Sequence, residues 1–266
     1  MLNSLTKLNP LAAGILALAM TAGAHAAQVQ VQVRVENLAP SNSITFAPLH
    51  LGFHAGTFDA FNIGQAATAP IISVAEGGSG SAWLPAFTAA DPTATVGTIG
   101  MPLLPGMSRT ANFIVDTAVN RYFTFASMVV PSNDFFIGND SPTRHELFDA
   151  AGNLIVSNIP QLARQIWDAG SEVFDPAAAA FVGNNDLRAS QNSVVAFNFA
   201  ELAAFDGLTT AAGYNFGSQL TANTEVYRIS FEVSPVPEPA SYAMLLAGLA
   251  AVGTIARRRR AVPAKR

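Results

Sequence analysis

Two stretches of this chain alternate apolar and polar residues with a strict period of two. The first places valine at positions 29, 31, 33 and 35 between glutamine and arginine, and the second places Tyr227, Ile229, Phe231 and Val233 between polar residues. Such a period buries one face of a β-strand and leaves the other face in water. The two stretches therefore predict strands at both ends of one β-rich domain, residues 27–234.

Shorter apolar or alternating segments lie between these two strands, and clusters of turn-forming residues separate them. The predicted strands cover residues 44–51, 111–115, 122–130, 162–167 and 194–199. Short helical turns are expected at 58–64 and 201–205. The 208 residues of this region are within the range of one sandwich or barrel. The expected fold class is all-β, an antiparallel β-sandwich.

The charge of the predicted domain differs strongly from that of the whole chain. The 266 residues carry a formal charge of −4, whereas residues 27–234 hold seven arginines, no lysine and seventeen acidic residues, a net charge of −10. Such an acidic surface argues against nucleic acid as a partner, because phosphates require a basic face. The absence of cysteine excludes disulfides, a thiol nucleophile and a cysteine-ligated metal.

The first 26 residues have the pattern of a secretory signal peptide. Lys7 lies in a short polar start, an apolar run covers 11–22, and Ala24-His25-Ala26 supplies the small residues that a signal peptidase needs. We therefore expect export of the chain and cleavage after Ala26.

Three features follow one another in the C-terminal segment, residues 235–266: a Pro-Glu-Pro motif, an uncharged apolar run and an arginine cluster. They consist of Pro237, Glu238 and Pro239, then residues 240–256, then Arg257, Arg258, Arg259 and Arg260. The run of 17 residues is at the lower limit for a transmembrane helix. The arginines behind it are expected to remain cytoplasmic, which leaves the middle domain on the far side of the membrane.

This arrangement resembles the PEP-CTERM sorting signal of Gram-negative bacteria. The resemblance implies recognition by an exosortase-type sorting protease, cleavage near residues 237–239, and release or attachment at the cell surface or in the extracellular matrix. The expected protein is therefore exported and is held in the inner membrane by the 240–256 helix only until it is processed.

Two acidic loops stand out from a domain that is otherwise poor in charge. Asp134 follows a strongly apolar segment, and Asp168 and Glu172 follow Trp167. A carboxylate beside large apolar residues is costly unless it is paired, so a cation is expected nearby. Ca²⁺ binds oxygen ligands of this kind and suits loops of an exported sandwich. In the alternative interpretation, Asp134 caps its own turn and Glu172 is exposed.

Residues 127–138 and 167–172 resemble the two signature stretches of the spondin N-terminal domain, and residues 48–54 and 75–78 are similar to bacterial members. The resemblance implies an antiparallel sandwich like the calcium- and phospholipid-binding sandwiches, with Ca²⁺ ligands at Asp134, Asp168 and Glu172. The best-known members have aspartate at the last position. Animal members are extracellular-matrix adhesion proteins, but their cysteines and thrombospondin-type repeats are absent from this sequence, so their partners do not transfer.

Two functions from different classes are compatible with these residues. We favour a non-enzymatic binding or adhesion module with a structural calcium site, whose ligand is extracellular polysaccharide, a surface protein or the matrix itself. The alternative is a secreted hydrolase of matrix polysaccharide that uses a carboxylate pair, Asp168 with Glu172 or Asp134 with Asp168.

Geometry separates these two functions. Acids that converge on one closed point favour the binding module, whereas two acids roughly 5–10 Å apart across an open groove favour the hydrolase. Calcium could also mediate contacts between copies or with anionic partners, because a domain with a charge of −10 repels other acidic surfaces.

Overall fold

The computed structural model describes residues 28–197, 199–236, 248–250 and 252–253. The predicted signal peptide and the sorting residues Pro237, Glu238, Pro239 and Arg257 to Arg260 lie outside these ranges. Of the predicted membrane segment 240–256, only 248–250 and 252–253 are described, and they are helical. Among the described residues, no helix has the length and apolar character needed to cross a membrane. The chain divides into two compact units between Ser234 and Pro235.

The first sheet has four strands in the order β5-β1-β10-β8. These strands are β1 (Gln28–Asn37), β5 (Ser108–Asp116), β8 (Asn158–Leu162) and β10 (Glu225–Pro235). β1 pairs antiparallel with β5 along nearly its whole length, from Gln28 opposite Asp116 to Glu36 opposite Ser108. The two strands predicted from strict alternation, β1 and β10, are therefore neighbours in one sheet.

The second sheet has the order β4-β3-β6-β7-β9, with β2 paired to β6, and its strands are antiparallel. They are β2 (Thr45–Phe46), β3 (Leu49–His54), β4 (Thr95–Ile99), β6 (Tyr122–Val130), β7 (Phe135–Gly138) and β9 (Ile166–Asp168). A 3₁₀ turn, Ala163–Gln165, connects β8 to β9. At this turn the chain passes from an edge of the first sheet to an edge of the second.

The main hydrophobic core combines apolar side chains from both sheets. Val31, Val33 and Val35 from β1 and Phe123 and Phe125 from β6 are all at most 2% exposed. Each large apolar side chain that is fully buried contributes roughly 1.5–3 kcal/mol relative to exposure. This core explains the alternation in β1, because only one face of the strand enters it.

A second core lies between the other face of the second sheet and two helices, α1 (Ala69–Gly77) and α2 (Trp83–Ala90). Trp83 and Phe87 of α2 pack there with Phe136 of β7. All six residues of β3 are buried, which is why this strand does not alternate. A Cβ atom at Gly52 would lie 2.4 Å from the ring of Phe87, so glycine permits the close approach of α2 to the sheet.

The mostly β, antiparallel architecture is consistent with the predicted sandwich, although two helices cover one sheet. The strand predicted at 122–130 is confirmed residue for residue as β6. The strand predicted at 162–167 is wrong as a single element, because the turn Ala163–Gln165 separates β8 from β9. Apolar residues lie on both sides of the polar pair Arg164 and Gln165, a pattern that alternation in one strand also produces, so hydrophobicity alone did not reveal the break.

The strand predicted at 194–199 is also wrong. Residues 194–197 form only a single bridge, between Ala196 and Asp168, and a 3₁₀ helix begins at Phe199. The helical turn expected at 201–205 is confirmed within this 3₁₀ helix, Phe199–Phe205. Residues 58–64, where another was expected, form a loop with a turn only at its end.

Candidate metal site

Asp134 is the last residue of the turn that leads from β6 into β7. The hydroxyl of Ser132 fixes this turn, since it donates to the carbonyl of Val129 at 2.6 Å and accepts from the amide of Phe135 at 3.0 Å. The Asn133 side chain bonds to both the amide and the carbonyl of Asp175 at 3.1 Å. The first acidic loop is thereby attached to the loop that follows β9.

The Asp134 carboxylate holds the second acidic loop in place. Its Oδ2 accepts hydrogen bonds from the amide of Ser171 at 2.7 Å, the hydroxyl of Ser171 at 3.1 Å and the amide of Glu172 at 2.9 Å. The side chain is only 1% exposed. Asp134 therefore caps the backbone of another loop rather than its own turn, and the two acidic loops form one structure.

Gly170 gives the second loop its shape. Its φ of +67° is in the left-handed region, and a Cβ atom would lie 2.7 Å from the carbonyl oxygen of Val194. Glycine alone adopts this conformation without strain. The amide of Gly170 donates to Oδ1 of Asp168 at 2.6 Å, so the same residue orients the second carboxylate.

The carboxyl groups of Asp168 and Asp134 are in hydrogen-bond contact. Burial and then the negative charge of Asp134 raise the pKa of Asp168 to about 7, against the lowering effect of the Gly170 amide. The charge of Glu201 raises the pKa further. Because a neighbouring negative charge and burial both disfavour its ionised form, Asp168 keeps its proton up to near neutral pH.

The third predicted ligand, Glu172, has a different partner. Its Oε1 forms an ion pair with Arg188, and Arg188 also donates to the carbonyl of Glu76 at 3.1 Å. Burial raises the pKa of Glu172, and the hydrogen bond and charge of Arg188 oppose the rise. Glu172 is 6% exposed, so the alternative interpretation of a simply exposed side chain is wrong.

The donor chemistry of this site fits a hard cation at Asp134 and Asp168. As they stand, no three histidine, aspartate or glutamate side chains of the described ranges form a group that could hold a metal ion. However, the buried Asp134 carboxyl group interacts with the half-buried one of Asp168, and Oε2 of Glu172 is buried without a hydrogen-bond partner among the described residues. Ca²⁺ completes its ligand shell with backbone carbonyls and water, so two carboxylates can nucleate a site.

The carboxylates do not face one another across a groove. The charges of Asp134 and Asp168 act on one another, and Asp134 is buried, whereas a glycosidase pair lies across an open cleft with room for substrate or water. Two open pockets of the described structure are lined by other residues and contain none of the three predicted ligands. Neither geometric criterion is met in full, because the described residues contain no cluster of three acids that could hold a metal ion and neither pocket contains a carboxylate pair made of the predicted ligands.

Sequence reasoning missed two charged residues that act on this site, Arg188 and Glu201. Arg188 follows the 3₁₀ helix Asn185–Leu187, and Glu201 belongs to the 3₁₀ helix Phe199–Phe205. Neither lies in a recognisable motif. The one available signal was the ratio of seven arginines to seventeen acids in residues 27–234. With so few arginines, only some of the acids can form an ion pair.

Comparison with known proteins identifies the C-terminal segment. Residues 235–260 match the family model of the PEP-CTERM protein-sorting motif. No curated protein matches the chain. The motif is recognised by exosortase-type processing, and it identifies the chain as an exported protein that is sorted to the surface.

Proposed function

We propose that this protein is a surface-sorted, non-enzymatic binding module of the spondin N-terminal type, in which Asp134 and Asp168 hold a structural Ca²⁺ ion. The observation that carries the proposal is the interaction between the buried carboxyl group of Asp134 and the half-buried carboxyl group of Asp168, which come from separate segments of the chain. The raised pKa of Asp168 lets this side chain keep a proton up to near neutral pH when no metal is bound, and a divalent cation would replace that proton. Calcium would then connect the two loops at one point.

The hydrogen bonds around the pair support this role. Three donors from the second loop engage Oδ2 of Asp134, and the Gly170 amide engages Oδ1 of Asp168. Each carboxylate is therefore oriented by one oxygen and keeps its second oxygen for a cation. Preorganisation of this kind reduces the entropy that is lost when a ligand binds.

The ion pair of Glu172 with Arg188 modifies the ligand set that the spondin resemblance implies. In the proposed site Asp134 and Asp168 are the primary ligands, and Glu172 joins only if its side chain leaves Arg188. Oε2 of Glu172 has no hydrogen-bond partner among the described residues, so it is available to bind a nearby cation. Calcium binding by variants of Glu172 distinguishes these roles.

The test is a thermal melt of the full chain, purified in mild detergent and stripped of metal, with and without Ca²⁺. At a calcium concentration of 100 times Kd, a ligand of the native state contributes about 2.7 kcal/mol. For a domain of this size that amount corresponds to a Tm increase of roughly 5–10 °C. Asp168→Asn should abolish the increase, and Asp59→Asn, at an exposed aspartate, should preserve it.

In the same experiment, Glu172→Gln tests whether Glu172 is a calcium ligand. A full calcium response in this variant would leave Asp134 and Asp168 as the only acidic ligands. An unchanged Tm of the unsubstituted protein at millimolar Ca²⁺ would remove the calcium proposal.

A further inference from the structure

A basic pocket lies where the chain passes between the two sheets. Its volume is about 390 Å³, which is in the range of small-molecule sites, and it is partly open to solvent. The end of β7, the loop after it, β8, the 3₁₀ turn Ala163–Gln165 and β9 form its wall. The lining residues used below are Asp140, Arg144, Gln161, Arg164, Gln165 and Trp167.

Two arginines without ion pairs among the described residues meet in this pocket. Four of the seven arginines in residues 27–234 form ion pairs, namely Arg34, Arg121, Arg188 and Arg228. Arg144 and Arg164 form no ion pair with any described residue, although the domain has an excess of acids. Arg164 instead donates to the side-chain oxygen of Asn223, which orients its guanidinium group.

The charge of the pocket is therefore positive. Asp140 is the one acidic residue of the lining, against two arginines. His145, also in the lining, does not add to the charge, because burial and then the charge of Arg144 lower its pKa to about 4. A site with a net charge of +1 in a region of −10 attracts an anion that the rest of the surface repels.

The remaining groups suit a ligand with hydroxyl groups and an apolar face. Gln165 uses its amide oxygen to accept from the Leu162 amide at 2.8 Å, which leaves its amide nitrogen to donate. Gln161 uses its amide nitrogen to donate to the Pro160 carbonyl at 2.9 Å, which leaves its oxygen to accept. The half-buried ring of Trp167 supplies an aromatic surface of the kind that packs against C–H groups.

The floor of the pocket is fixed before any ligand arrives. The Asn139 side chain accepts from the amide of Phe125 at 3.1 Å and donates to the hydroxyl of Thr124 at 3.0 Å and the carbonyl of Ser141 at 2.9 Å. These bonds attach the start of the loop that carries Arg144 to the sheet. A ligand would therefore bind to a formed cleft rather than order a loose one.

We propose that this pocket binds uronic-acid units of an acidic polysaccharide. The guanidinium groups of Arg144 and Arg164 pair with sugar carboxylates, a geometry in which arginine can make two parallel hydrogen bonds. The two glutamines and Asp140 bond to hydroxyl groups, and Trp167 packs against the ring face. The opening to solvent lets the rest of a polymer leave the pocket. This inference deepens the proposed binding role and rests on it, but it does not depend on the calcium site.

Calorimetric titration of the full chain in mild detergent tests the proposal. The probes are hexasaccharides of galacturonate, glucuronate and mannuronate, with neutral maltohexaose for comparison. We expect at least one carboxylated probe to bind at least about tenfold more tightly than the neutral one, and to weaken in high salt. Arg144→Gln and Arg164→Gln should each reduce the affinity about tenfold.

Arg109→Gln is the matched control. Arg109 also lacks an ion pair within the described structure, but it lines a separate, largely apolar groove. Its removal changes the net charge by the same amount and should alter the affinity by less than about twofold.

Three results would overturn the inference: no binding of any carboxylated probe, an equal loss in Arg109→Gln, or equally tight binding of hexaglutamate. The last result would indicate a general anion surface. The calcium-dependent Tm shift is measured on the same samples. Loss of saccharide binding with an intact shift rejects the pocket alone, and saccharide binding without a shift rejects the calcium site alone.

Discussion

Two neighbouring residues of β9, Asp168 and Trp167, belong to regions of opposite chemistry. On the side of Asp168 the charges are acidic and mostly buried, and hydrogen bonds from the loop backbone and the Arg188 ion pair engage them. On the side of Trp167 two arginines are exposed and have no carboxylate partner among the described residues. Successive strand residues point to opposite faces, so one short strand separates the two regions.

This difference shows how burial decides where a charge is compensated. A buried charge without a partner is costly, so the acidic region satisfies its carboxylates internally or with a cation. An exposed charge costs little, so the basic pocket can leave its arginines available for a ligand. We therefore expect substitutions in the acidic region to change stability and substitutions in the basic pocket to change binding.

The largest effect is expected from Asp134→Ala. Removing the carboxylate leaves the buried amides of Ser171 and Glu172 without an acceptor, at about 1–3 kcal/mol for each group. Chemical denaturation should therefore show a loss of about 3–4 kcal/mol in the free energy of unfolding. Asp59→Ala, at an exposed aspartate, should change it by less than about 0.5 kcal/mol. Similar losses in the two variants would contradict the capping role of Asp134.

The next largest effect is expected from Arg188→Gln. This change leaves Glu172 buried without its cation, and breaking such a pair costs about 3 kcal/mol. In the double variant Glu172→Gln with Arg188→Gln no charge is left unpaired, so at least half of the lost stability should return in the same denaturation experiment. A double variant as unstable as Arg188→Gln would show that the loss comes from packing rather than charge.

Asp168→Asn should produce a smaller change that depends on pH. Burial and the charge of Asp134 raise the folded pKa of Asp168 to about 7, above its unfolded value. The unfolded chain therefore releases this proton first, and the contribution of Asp168 to stability falls as pH rises from about 4 through about 7. Without metal, the asparagine variant should be more stable than the unsubstituted protein at pH about 8, by about 1 kcal/mol.

Buried histidines change stability in the opposite direction, so the comparison has to be made between variants. Burial lowers the pKa of His54 to about 4, which means that stability is lost as pH falls below the unfolded value of histidine. Both proteins share this effect, and their difference isolates Asp168. A difference in unfolding free energy that does not vary with pH would contradict the raised pKa of Asp168.

The smallest effects on stability are expected in the basic pocket. Arg144→Gln and Arg164→Gln remove exposed side chains without ion pairs, so thermal and chemical unfolding should change by less than about 0.5 kcal/mol. The same variants should lose binding to carboxylated hexasaccharides. Destabilisation beyond about 1 kcal/mol would mean that the pocket is also a structural element.

The sequence predicted those strands whose environment matches a simple pattern. β1 and β10 have one face in the core, and their alternation revealed them. The helices α1 and α2 were missed, because they are short and rich in apolar residues, which a pattern of hydrophobicity does not distinguish from buried strands. Tertiary packing on the second sheet, rather than local preference, stabilises them.

The candidate site was predictable in its acids but not in its cations. Asp134 and Asp168 stood out because they follow apolar strands, and the structure brings them together. The partner of Glu172 is a residue of a loop with no motif, Arg188. Arg144 and Arg164 line the same pocket because the turn Ala163–Gln165 separates β8 from β9. The sequence pattern predicted a single strand there, so the pocket was not predictable.

The most direct test of the calcium site is calorimetric titration with Ca²⁺ at pH about 7 in two buffers of different ionisation enthalpy. Because the pKa of Asp168 is about 7, we predict the release of about half a proton for each calcium bound. Asp168→Asn should neither bind calcium with the same affinity nor release this proton. Calcium binding without proton release, or no binding at all, would contradict the account.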